Sequence, residues 1–156
     1  DLLAAAGTAK DHYEIPPDAR RFENWEMNYA AKLGLTAAID YALDWGLANI
    51  QNRIDELAGL LRTGLQTIEK VQLLDLGAKK CGIVSFNIDG IDATAVKQQL
   101  AAERINVSAS PREFTLLDMQ ARQLSSVVRA SVHYYNTKDE IERFLEVLRI
   151  IATRRG

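Results

Sequence analysis

Arg129 is the residue of this 156-residue chain best suited to chemistry. It interrupts an apolar run in which Val128, Ala130 and Val132 alternate with Val127, Arg129, Ser131 and His133. An arginine keeps its charge and presents a planar fork of N–H groups that fits a carboxylate through two parallel hydrogen bonds. Two readings stay open: an arginine on the outer face of a strand paired with an acid, or a carboxylate clamp. Cys81 follows Lys79 and Lys80, cations that would lower a thiol's pKa. No histidine stands near it in sequence, so a small buried or half-buried strand residue is the simpler reading. His12 and His133 lie far apart, and no pair has metal-ligand spacing, so no metal site is expected. The chain holds no Gly-x-Gly-x-x-Gly, no phosphate-binding loop and no nucleophile elbow. The residues alone supply one candidate anion clamp and no catalytic set.

The elements that must position Arg129 follow from periodicity. Pro16-Pro17 forbids helix, and residues 1–19 are read as an extended strap or linker. Residues 20–156 are read as one domain. Arg20 to Asn28 looks like a helix entry, with Asn24 as cap and Phe22 and Trp25 as core anchors. Tyr29 to Trp45 and Leu47 to Ile68 carry apolar residues at helical spacing, with Gly46 between them. Val71–Leu76 and Gly82–Ile88 read as strands joined by a turn at Gly77–Lys80. Asp92 can cap a helix through Glu103, and Ile105–Ala109 reads as a third strand. Ser110 to Gln123 is ambiguous, because Pro111 breaks structure there. Val127–His133 is a fourth strand. Thr137 and Glu140 have capping-box spacing before a helix that buries Ile141, Phe144, Leu145, Leu148 and Ile151. The order ααββαββα predicts an α+β fold: a small mixed or antiparallel sheet with helices on one face, in a split βαβ arrangement.

Composition narrows the function classes. A net charge of −2 gives no case for nucleic acid, and no apolar run is long enough for a membrane span. One cysteine excludes an internal disulfide framework and fits a reducing, cytoplasmic compartment. The chain opens at Asp1 without methionine and is read as a piece of a longer protein.

The stretch Val128 to Ile141 (Val-Arg-Ala-Ser-Val-His-Tyr-Tyr-Asn-Thr-Lys-Asp-Glu-Ile) resembles the C-terminal signature of class V aminotransferases. This is the pyridoxal-phosphate family that includes cysteine desulfurases, selenocysteine lyases and isopenicillin-epimerase-like proteins. Arg20 to Asn28 (Arg-Arg-Phe-Glu-Asn-Trp-Glu-Met-Asn), with the alanine-rich helix after it, resembles the segment leading into the small domain of the same family. The resemblance implies a fold-type I C-terminal small domain from a homodimeric enzyme whose N-terminal large domain holds pyridoxal 5'-phosphate. The enzyme would act on an amino acid as a transaminase, lyase or epimerase, and this part would close over the substrate. Arg129 falls on the family arginine that grips the substrate carboxylate. Arg21, Glu23 and Asn28 keep the family pattern and would order a dimer-interface segment with Asn24. Many members have a Gly-Thr pair reaching the cofactor phosphate where this chain has Trp25 and Glu26, and a glutamate repels phosphate. The loop that carries the cysteine of desulfurases corresponds to Arg112–Thr115, which has none. Ser108, Ser110 and Arg112 lie in the region that shapes the pocket. None of the seven lysines has the family's Ser-x-His-Lys setting, so the isolated chain is expected to bind no cofactor and to be inactive. The alternative is a free-standing α+β module that binds small carboxylates.

Overall fold

The computed structural model describes residues 6–23 and 26–153. The chain divides into two compact units, Asp1–Trp45 and Gly46–Gly156.

In the first unit, strands β1 (Ala6–Ala9) and β2 (His12–Glu14) pair antiparallel. The stretch read as an extended strap therefore folds back as a hairpin. A short 3₁₀ turn, Ala19–Phe22, follows the prolines and is capped by the Asp18 side chain. Helix α1 (Tyr29–Trp45) has the expected bounds. Its N-terminus is capped by Asn28, whose side-chain oxygen accepts from the Ala31 N–H at 2.9 Å. The caps and anchors read at Asn24 and Trp25 lie outside the described residues. Phe22 is not a core anchor: it is 76% exposed, and the Arg21 guanidinium lies over its ring at 5.1 Å. No residue of α1 is buried, and Leu33, Leu35 and Ile39 of its apolar set stand exposed.

The second unit starts at Gly46, whose φ of 82° is a conformation glycine adopts without strain. It contains α2 (Leu47–Gln66), β3 (Val71–Leu73), β4 (Ile83–Ile88), α3 (Ala93–Ala102), β5 (Ser108–Pro111), α4 (Leu116–Ala121), β6 (Ser126–Ser131) and α5 (Lys138–Thr153). The sheet order is β3-β4-β6-β5, and every pairing is antiparallel. Because β4 and β5 both run against β6, they are parallel to each other. The β4-α3-β5 unit is thus a split βαβ with β6 inserted, as the element order predicts.

One sheet face carries the core. Val84, Phe86 and Ile88 of β4 and Val128 and Ala130 of β6 meet Leu57, Leu61 and Leu65 of α2, Val96 and Leu100 of α3, and Phe144, Leu145 and Leu148 of α5. Each fully buried aliphatic side chain contributes roughly 1.5–3 kcal/mol. Phe86 and Phe144 add an edge-to-face pair at 6.0 Å. Helix α5 begins with the capping box: Thr137 Oγ1 accepts from the Glu140 N–H at 3.2 Å, and the Glu140 carboxylate accepts from the Thr137 N–H at 2.9 Å. The opposite face is thinly covered. There Leu74, Val127 and Met119 of α4 form a small separate cluster.

Several boundaries differ from the sequence reading: α2 ends at Gln66 rather than Ile68, β3 ends at Leu73 rather than Leu76, β4 starts at Ile83 rather than Gly82, and β6 spans Ser126–Ser131 rather than Val127–His133. The third strand starts at Ser108 rather than Ile105. Arg104 takes a φ of 61° and the Ile105 N–H closes back on the Leu100 carbonyl, so helix termination consumes those residues. Pro111 does not break the strand but ends it: β5 is an edge strand, where a missing N–H costs nothing.

Candidate functional site

Alternation along β6 decides the placement of Arg129. Val128 and Ala130 face the core, so Val127 and Arg129 face the open side. The registers set Ser85 of β4 and Ser108 of β5 directly opposite Arg129. Both neighbours are short and hydroxylic, which leaves room for a long guanidinium between them. Arg129 is half-buried. Among the described residues, no acid or carbonyl hydrogen-bonds or ion-pairs with it. A partly desolvated guanidinium without a partner attracts an anion.

Arg129 lines a cavity of about 380 Å³ with Ser85, Ser110, Thr115, Asp118 and Arg122. Leu74, Phe114, Met119 and Val127 complete its wall. Ser110 is buried and Phe114 is 75% exposed. The second guanidinium is occupied: Arg122 donates to the Asp118 carboxylate at 3.2 Å and to the Leu74 carbonyl at 2.6 Å. Asp118 and Arg122 belong to the stretch whose sequence was ambiguous. Their i,i+4 spacing of opposite charges is the signal that marks them as neighbours on one helical turn.

The remaining candidates fall in several places. Ser108 is exposed beside Arg129 and does not line the cavity. Arg112 holds the chain reversal: its N–H donates to the Ser125 carbonyl and its Nε to the Leu124 carbonyl at 2.8 Å. Arg21, Glu23, Glu26 and Asn28 are exposed in the first unit. Cys81 is exposed rather than buried, just before β4. It lines a separate open cleft with Arg62, Asp75, Lys79 and Lys80, and Ser85 is common to the two cavities. Sequence reading missed Arg62 and Asp75, whose 2.7 Å ion pair ties α2 to the loop before β4. Among the described residues, no group of acids, histidines and cysteine could hold a metal ion.

These features define an α+β domain with a half-buried guanidinium, unpaired among the described residues, in a cavity on the open face of its sheet. The chain belongs to the aminotransferase class V family, whose model matches residues 6–144. A probable cysteine desulfurase of Xylella fastidiosa strain Temecula1 is 34% identical over 136 residues, covering 87% of this chain and 32% of that protein. The apo structure of a cysteine desulfurase from Thermococcus onnurineus NA1 superposes with a TM-score of 0.79 at 29% identity, covering 96% of this chain and 38% of that one. The cystine C-S lyase C-DES, at 25% identity and a TM-score of 0.68 over 95% of this chain and 36% of its own, has been seen with glycine linked to its pyridoxal-phosphate cofactor. The chain spans about a third of the length of the curated relatives it matches, 32% for the Xylella protein.

No lysine amine lines the Arg129 cavity, and Glu26 is exposed.

Proposed function

We propose that this chain is the C-terminal small-domain part of a pyridoxal-phosphate-dependent class V aminotransferase-like enzyme. Its role there is to close over an amino-acid substrate and grip the carboxylate through Arg129. One observation carries this reading: a half-buried guanidinium, without a partner among the described residues, in a cavity edged by serine hydroxyls. The imine-forming lysine and the group that pairs with the pyridine nitrogen belong to the large domain, outside this chain. The exposed apolar residues of α1, among them Leu33, Leu35 and Ile39, support a larger partner surface. That surface is the large domain or the second subunit of a homodimer.

The loop between β5 and α4 carries Glu113, Phe114 and Thr115, and no cysteine. Persulfide formation by a cysteine on that loop is therefore disfavoured, and a transaminase, lyase or epimerase reaction is favoured. The test uses the full-length enzyme. Arg129→Ala weakens amino-acid binding by about 2–4 kcal/mol, the cost of truncating one partner of a buried charge pair. Binding of the matching amines, which lack the carboxylate, changes little. Equal loss for both sets of ligands refutes the clamp.

A further inference from the structure

Resting on the carboxylate-clamp reading, we infer that the site selects a ligand with one carboxylate and an uncharged side chain, and that Asp118, by engaging Arg122, is the residue that excludes a second acidic group. The inference comes from the charges around one cavity. Two guanidiniums and one carboxylate line it: Arg122, Arg129 and Asp118. Asp118 pairs with Arg122 at 3.2 Å, and the Leu74 carbonyl takes a second N–H of Arg122 at 2.6 Å. Arg122 is thereby held from two sides and its charge is matched. Arg129 has no such partner among the described residues, so the cavity keeps one uncompensated positive charge.

A single carboxylate on the ligand neutralises that charge. A second would enter a site with no positive charge left over and with the Asp118 carboxylate on its wall. With Arg122 engaged by Asp118, a second carboxylate would lose solvent without gaining a counter-charge. The rest of the wall suits a neutral ligand body, since Leu74, Met119 and Val127 are apolar and form a packed cluster. A cavity of about 380 Å³ has room for a small molecule. Asp118 is also unsuited to binding a cationic side chain, because Arg122 already engages it. Its side chain is 52% exposed, so solvent weakens the effect, and the discrimination it supplies is several-fold rather than absolute.

Butyrate and succinate test this, because they have similar length and differ by one carboxylate. Each is titrated into the chain at low ionic strength while the backbone amides of Ser85, Ser110 and Arg129 are followed by NMR. In the wild-type chain butyrate binds at least as tightly as succinate. Asp118→Asn raises the affinity of succinate relative to butyrate by about three- to tenfold, by the Coulomb term removed. Asp118→Glu, which keeps the charge, leaves the ratio near the wild-type value and separates charge from any change in folding. A ratio unaltered by Asp118→Asn, with shifts that still vanish in Arg129→Gln, overturns the role of Asp118 and leaves the clamp standing. Shifts that persist in Arg129→Gln, or are absent from the wild-type chain, overturn the clamp and this inference with it.

Discussion

Replacing Asp75 by alanine should cost far more than its place in a loop suggests. Asp75 accepts from Arg62 Nε at 2.7 Å through one carboxylate oxygen and from the Ser85 N–H at 2.7 Å through the other. Arg62 also donates to the carbonyls of Cys81 at 2.7 Å and Ile83 at 3.1 Å. The two side chains are only 16% and 10% exposed, so solvent screens the pair weakly. Removing the acid strands a nearly buried guanidinium and an amide N–H of β4. Breaking such a pair from one side costs about 3–5 kcal/mol. The surviving carbonyl bonds to Arg62 place the expected loss near the lower end. Changing both partners, Arg62→Met with Asp75→Ala, removes the stranded charge, so the double variant should lose clearly less than the sum of the single changes. Urea unfolding followed by far-ultraviolet circular dichroism supplies all four corners of the cycle. A loss below about 0.5 kcal/mol for Asp75→Ala, or single effects that add within that margin, would refute the reasoning.

Other consequences follow from the same contacts. A methyl group at Gly64 would meet the Leu145 side chain well inside contact distance; Gly64→Ala should therefore cost about 1–3 kcal/mol in thermal or urea unfolding, as overpacking does. The Thr137 N–H, and after it the Asn136 side chain, hold the Glu140 carboxyl below the ordinary glutamate range. A carboxyl depressed in the folded state stabilises fully above its unfolded pKa and loses that contribution as pH falls through the folded pKa. Unfolding should thus become easier across that acid window in the native chain, and the slope should flatten in Glu140→Gln. Thr137→Ala removes the other half of the capping box and should cost about 1 kcal/mol, read from the same melts. Mixing this chain with pyridoxal phosphate should give no lysine-imine absorbance that depends on the Arg129 cavity, since no lysine lines it; an imine band abolished by Arg129→Gln would contradict the reading.

The pattern of strands and helices was legible because each element carries a strong local signal. The apolar spacing of α5 and its Thr137–Glu140 box are local, and the helix forms where they place it. The same holds for the bounds of α1 and the Asp92 cap of α3. The stretch from Ser110 to Gln123 was not legible. Its short helix is held by Met119 packing on Leu74 and Val127, and by Arg122 reaching the Leu74 carbonyl. Those partners lie far away in sequence, so no local period marks them. Cys81 was misjudged because it precedes β4 rather than standing in it, so no strand neighbour covers it.

Arg129 shows where the division falls. Sequence alone determined that a permanent charge sits in the fourth strand, on the face opposite Val128 and Ala130, because side chains alternate along any strand. The signature around Val128–Ile141 also pointed to the family to which the chain belongs. Only the tertiary structure decided what surrounds it. The cross-strand register put Ser85 and Ser108 beside the guanidinium, and the packing of α4 brought Asp118 and Arg122 to the same cavity as a pair already matched in charge. Pairing is a matter of distance in space, which sequence spacing does not encode; that is why the neighbours of Arg129 could not be read from the sequence.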